Sequence, residues 1–166
     1  MYAFIPTAAS VPGPARYPIP YMLPEIWIET VRSRRWCILA SPLIAGNDLR
    51  KMSADTVKIL TNPHAIKINQ DTLGKQATLV TNSSSATQVW VKPLADPPKS
   101  WAVALLNRES AEANIKLSFA AVPAMQATYE VFDLWDNAKS LGVKKGSVAA
   151  TVPGTTAAFY KLAPSS

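Results

Sequence analysis

Cysteine and histidine each occur once in this 166-residue chain, as Cys37 and His64. A single thiol excludes an intrachain disulfide, and none of the paired spacings that hold zinc is available. No metal site and no cofactor is therefore expected. Charge is also sparse, with 17% of residues Asp, Glu, Lys or Arg. The net charge of +6 comes from basic residues scattered among acidic ones; only Arg32, Arg34 and Arg35, and the pair Lys144 and Lys145, cluster locally. Without a basic stripe or a groove-reading motif, nucleic acid is not expected as a partner. Long apolar runs are missing, so no membrane-spanning helix is expected, and no segment repeats. The opening residues lack the basic head and unbroken apolar core of a secretory signal.

Apolar residues are plentiful at 48%, which argues for a globular chain. Its length allows one ordinary domain, or a small domain joined to part of another. Three stretches differ in pattern. Residues 1–35 carry Pro6, Pro12, Pro14, Pro18, Pro20 and Pro24, which break any helix and predict an irregular segment. Residues 36–74 read as one β/α unit. Two apolar runs, 37–39 and 42–45, have the unalternating character of a strand buried on both faces. Ser53 then offers an N-cap and Asp55 a first-turn carboxylate for a short helix, which Asn62 and Pro63 end. Residues 65–68 are expected to lead away extended. From residue 75 onward the period becomes two and turn residues punctuate short runs. Seven strands are expected, over 77–81, 88–92, 101–107, 114–119, 128–134, 147–152 and 157–162, with 137–142 as a connector. Such spacing predicts an antiparallel β-sandwich over 75–166.

Specific residues sharpen this reading. The run Trp36-Cys37-Ile38-Leu39-Ala40-Ser41-Pro42-Leu43-Ile44-Ala45-Gly46-Asn47-Asp48-Leu49-Arg50 is followed by a helix and then by Ile68-Asn69-Gln70-Asp71, Leu73, Gly74, Lys75 and Gln76. This order resembles the end of the catalytic barrel of the α-galactosidases of glycoside hydrolase family 27, the melibiase family. Val131-Phe132-Asp133-Leu134-Trp135, Leu141-Gly142 and Val152-Pro153 are similar to the family's C-terminal domain. The resemblance implies a mainly β fold: an antiparallel, Greek-key-like β-sandwich preceded by a remnant of a (β/α)8 barrel. A whole barrel needs about 200 to 250 residues, so here it is incomplete. Residues 1–35 match nothing in the family, and unrelated coding sequence or a misplaced gene boundary is the expectation there. One departure is Thr155, where family members often carry a histidine.

Members of the family cleave terminal α-galactosides with retention, through an aspartate nucleophile and an aspartate acid/base about 5 to 5.5 Å apart. The motifs that carry both aspartates are missing, so no catalytic residue is assigned, and the chain alone is expected to be inactive. α-Galactosides are then partners only through the parent enzyme, while the missing barrel half or another copy of the chain would cover the unpaired barrel strand. A noncatalytic carbohydrate-binding or structural β-sandwich is the alternative. Family members are typically secreted or lysosomal, which leaves the compartment open here.

Candidate site residues are few. Asn47, Asp48 and Arg50 lie just past the expected barrel strand, where they either support a sugar pocket or fix the turn. Trp90 and Trp135 are candidates for sugar stacking, against the plainer reading of aromatic core. Asn82 begins an Asn-Ser-Ser glycosylation sequon. His64 lacks a neighbouring nucleophile motif and reads as a surface or capping residue, and Cys37 as a small buried thiol.

Overall fold

Ser100–Asn107 (β3) is buried at every one of its residues, because strands flank it on both edges and further layers cover both its faces. The computed structural model describes residues 36–44, 48–82 and 86–165. Around β3 lie β1 (Thr78–Asn82), β2 (Thr87–Leu94), β4 (Ala113–Ser118), β5 (Thr128–Asp133), β6 (Lys139–Lys145), β7 (Ser147–Val152) and β8 (Ala157–Pro164). They form a six-stranded sheet in the order β1-β2-β3-β8-β5-β6 and a two-stranded sheet of β4 and β7. Every pairing is antiparallel. The sandwich expectation therefore holds.

Alternation decides which side chain faces which layer. Val91 pairs with Val103, Val103 with Tyr160, and Trp101 with Leu162. This row joins Leu105, Tyr129 and Val131 against Ile115, Leu117, Val148 and Val152 of the small sheet. On β4 the alternate residues Asn114, Lys116 and Ser118 stay out of the core. Tyr129 is fully buried, its hydroxyl accepts from Gln126 N at 2.9 Å, and its ring meets Phe119 edge-on at 5.3 Å.

The opposite face of β3 presents Ala102 and Ala104 beside Phe159 of β8. Small side chains there let a helical layer approach closely. α2 (Pro63–Asn69) and the helical residues 36–38 supply it, while α1 (Ala54–Leu60), just before α2, buries no residue. Ser53 caps α1, its Oγ accepting from Thr56 N at 3.1 Å. Asn62 caps α2, its Oδ1 accepting from His64 N at 2.9 Å and Ala65 N at 3.1 Å. Ala65 and Ile68 of α2, with Cys37 and Ile38, complete a second apolar cluster with Leu94, Ala102, Ala104, Leu134 and Phe159. None of the described helices is long and apolar enough to cross a membrane.

Three local expectations are corrected. Residues 36–38 are helical, 39–40 turn and 41–44 lack regular structure, so the described part of the expected buried strand is not a strand. A lone parallel strand has no neighbour to accept its backbone hydrogen bonds; instead Ser41 N donates to Trp36 O, and Ala77 N donates to Ile38 O. Residues 65–68 are helical, because Asn62-Pro63 stops α1 and at once starts α2: Asn caps, and Pro at the first turn needs no N–H. Finally, the expected connector 137–142 runs into β6, an eighth strand with every residue exposed. An edge strand rich in Lys, with Gly142, carries no buried pattern to reveal it.

Candidate functional site

The seam between the helical layer and the sheet holds two of the five buried polar residues among those described, Asn69 and Lys92. Asn62 Nδ2 donates to Leu134 O at 3.1 Å, so the residue that caps α2 also ties it to the turn after β5. At the other end of α2, the buried Asn69 donates from Nδ2 to Trp36 O at 3.2 Å and Ser41 O at 2.8 Å. The Asp71 carboxylate accepts from Ala95 N at 3.0 Å and from Leu73 N at 3.1 Å, which joins the exit of α2 to the end of β2.

Lys92 is fully buried on the helix-facing side of β2. Its Nζ donates to Ile68 O in the last turn of α2, where the helix dipole favours a cation. Burial pushes the Lys92 amine below its ordinary value, while Asp71 and Cys37 pull it back up. Burial raises the neighbouring Cys37 thiol to about 11, against the opposing field of Lys92. A thiol so protonated and enclosed is a packing group rather than a nucleophile.

Asp48 and Arg50 form one local unit. The Asp48 carboxylate accepts from Arg50 N and Nε, each at 3.0 Å, and from Nη2 at 3.2 Å, capping the 3-10 turn Leu49–Lys51. Those bonds lower the Asp48 pKa. Asn47 lies outside the described residues. His64 Nε2 is 3.2 Å from Asn137 Oδ1. Trp90 is half-buried, donates from its indole nitrogen to Gln88 Oε1 at 3.1 Å, and packs against the second apolar cluster. Trp135 packs there too and borders an open cleft of about 460 Å³ shared with Lys58, His64 and Asn137. Asn82 ends β1, while Ser83 and Ser84 of its sequon fall outside the described residues.

The other described carboxylates with a recorded partner serve turns, ion pairs and one cross-strand bond, in which Glu130 Oε1 accepts from Ser140 Oγ at 2.8 Å. Asp133 accepts from Trp135 N at 2.9 Å, Asp136 meets Lys139 at 3.4 Å, and Asp55 meets Lys58 at 3.9 Å. No group of three His, Cys, Asp or Glu among the described residues is placed to hold a metal ion. The residues that organise the seam, Asn62, Asn69, Asp71 and Lys92, were missed from the sequence. Two signals existed: an Asn before Pro at the start of a helix, and a Lys inside the otherwise apolar run Val89-Trp90-Val91-Lys92-Pro93-Leu94.

Comparison with known proteins agrees with this architecture. Residues 84–162 match the family described as alpha galactosidase C-terminal beta sandwich domain, and residues 26–71 match that described as alpha galactosidase A. The likeness thus begins ten residues before Trp36, inside the stretch that the sequence left unmatched. An α-galactosidase of Cyamopsis tetragonoloba is 32% identical over 79% of this chain and 31% of its own length. One from Oryza sativa is 35% identical over 78% of the chain and 30% of its own. The crystal structure of α-galactosidase I from Mortierella vinacea superposes with a TM-score of 0.75 at 26% identity, over 84% of this chain and 36% of that one. The chain therefore spans about a third of the length of these relatives. The two family matches and these relatives, together with the fold described above, show that the chain belongs to the α-galactosidases of glycoside hydrolase family 27 and corresponds to their C-terminal part.

Proposed function

We propose that this chain is the C-terminal buttress of a retaining α-galactoside hydrolase and has no glycosidase activity by itself. Hydrolysis needs a paired nucleophile and acid/base. Here Asp48, Asp71 and Asp133 are committed to backbone and side-chain caps, and Asp55 and Asp136 to exposed ion pairs. That observation carries the reading. The carboxylate pair would come from the remainder of the family's catalytic domain, in the same polypeptide or in another.

Residues 36–74 are then the last unit of the barrel and 75–166 the sandwich on which it rests. The barrel remainder would pack on the side of the helical layer turned away from the sheet, where α1 buries no residue and Leu43, Ile44 and Val57 are exposed. Galactosides are substrates of that assembled enzyme. Asp48 and Arg50 hold the 3-10 turn Leu49–Lys51 rather than touching sugar. Trp90 and Trp135 serve as packing, since both lie against the apolar cluster; this disfavours the alternative of a separate sugar-binding module.

The test uses p-nitrophenyl α-galactoside. The purified chain is expected to give no turnover above buffer, and to restore turnover when refolded with the portion of the Cyamopsis relative that precedes the shared region. Turnover by the chain alone would overturn the proposal, as would a complemented mixture no more active than that portion by itself.

A further inference from the structure

A pocket of about 130 Å³ lies within the helical layer. Its walls include Trp36 and Cys37, Leu43 and Ile44 from the irregular stretch that follows, Leu60 of α1 and Ala65 of α2. No side chain that lines it carries a charge. Seven large apolar residues are exposed among those described, and three of them, Leu43, Ile44 and Val57, belong to this layer. Leu43 and Ile44 line the pocket itself, and Val57 lies one turn before Leu60 on α1, which puts the two on the same helix face. An apolar hole with an apolar rim has thus been left open to solvent.

We propose that this pocket is an anchor hole for the remainder of the catalytic domain, receiving one leucine- or phenylalanine-sized side chain while Leu43, Ile44 and Val57 form the rim around it. The inference rests on the buttress reading above and names the contact that joins the two parts. Every residue lining the pocket falls within residues 26–71, the stretch that matches the family described as alpha galactosidase A. The chain spans about a third of the length of its α-galactosidase relatives, so the rest of that family domain is the partner these walls lack. Walls without charge select an apolar group. The volume is close to the roughly 150 Å³ of an apolar cavity that takes one benzene, which suits one ring or branched side chain and excludes a loop. A single large side chain seated in such a hole commonly dominates an interface.

The test refolds the full chain over a range of concentrations with the portion of the Cyamopsis relative that precedes the shared region, and reads the fraction in complex by size-exclusion chromatography. Ala65→Leu fills the hole from α2, and Ile44→Asp sets a carboxylate at its edge. Each should require about ten- to a hundredfold more partner for half association, the scale of burying one large apolar side chain. Val143→Asp alters a residue 54% exposed, against 51% for Ile44, but on β6; it should leave association unchanged. Ile44→Asp carries the test if Ala65→Leu does not fold by circular dichroism. Association of a folded pocket variant as tight as that of the parent would overturn the inference, as would an equal loss in Val143→Asp and Ile44→Asp; in both cases restored turnover leaves the buttress reading standing. Absence of association by the parent chain would overturn the two together.

Discussion

Asn107 joins two loops that are far apart in sequence, and replacing it gives a demanding measure of how the sandwich is closed. The side chain is 1% exposed. Its Nδ2 donates to Ala111 O at 2.8 Å, Val152 O at 3.0 Å and Pro153 O at 3.3 Å, and its Oδ1 accepts from Glu109 N at 3.0 Å. Two amide hydrogens serve three carbonyls, so at least one bond is shared. Asn107→Ala removes all four contacts and leaves carbonyls without a donor. At about 1 kcal/mol for each net bond, the expected cost is roughly 3 to 4 kcal/mol. Asn107→Asp keeps the shape and the bond from Glu109 but turns a carboxylate toward three carbonyl oxygens. At neutral pH it should cost at least as much as the alanine.

The sign of its pH dependence follows. The fold disfavours the ionised form, so the new carboxyl titrates above its unfolded value. The variant is therefore most stable, relative to the parent, below that unfolded value, and loses stability as pH rises through the folded one. Urea unfolding followed by circular dichroism at neutral and acidic pH measures both effects, and thermal midpoints should fall by ~10 °C for alanine. If both variants unfold within about 0.5 kcal/mol of the parent, the limit for an ordinary surface change, the network adds no stability and the reasoning fails.

Other perturbations test separate features. A Cβ on Gly154 would sit 1.9 Å from Ser110 O and 2.4 Å from its carbonyl carbon, so Gly154→Ala must part the same loops; urea unfolding should show a loss of about 3 kcal/mol or more. Asn62→Ala removes both a helix cap and the tether to Leu134, about 2 kcal/mol together, whereas Asn62→Asp should recover the cap alone; equal losses for the two variants would refute the double role. Cys37, raised to about 11, should not react with Ellman's reagent at pH 8 until denaturant is added. Its stabilising contribution is present below its ordinary value of 9.0 and lost as pH rises toward about 11. Lys92, held below 10.5, acts oppositely, gaining stability as pH rises toward that value. Cys37→Ala should therefore show an alkaline gain that Lys92→Met lacks, read from urea midpoints between neutral and alkaline pH.

Legibility followed burial. Strands with one wet and one dry face, such as β4 and β7, were readable because alternation is recorded in residue type. β3 was also found, although buried on both faces, since its larger apolar residues Trp101, Val103 and Leu105 alternate with alanines. β6 escaped because an exposed edge leaves no such record. The start of α2 escaped for another reason: Asn-Pro is a stop signal for one helix and a start signal for the next, and only the chain's later course decides between them. The stretch from Trp36 was misassigned because an apolar run without alternation fits a buried strand and a buried helical turn equally well. At the candidate site, the sequence pointed to Asn47, Asp48 and Arg50 as residues of a turn or a pocket without showing that Asp48 and Arg50 bond each other, whereas Lys92 acquires its role only through α2, which lies more than twenty residues away along the chain.

Ala102 and Ala104 make one strand the party wall of two rooms. Any attempt to transplant the sandwich onto a different barrel as a stand-alone cassette would strip Phe159 and Leu134 of their cover and leave the Lys92 ammonium without the Ile68 carbonyl. The smallest portable unit is therefore the sandwich together with α2 and residues 36–38, and a seam placed at residue 75 would cut through shared masonry.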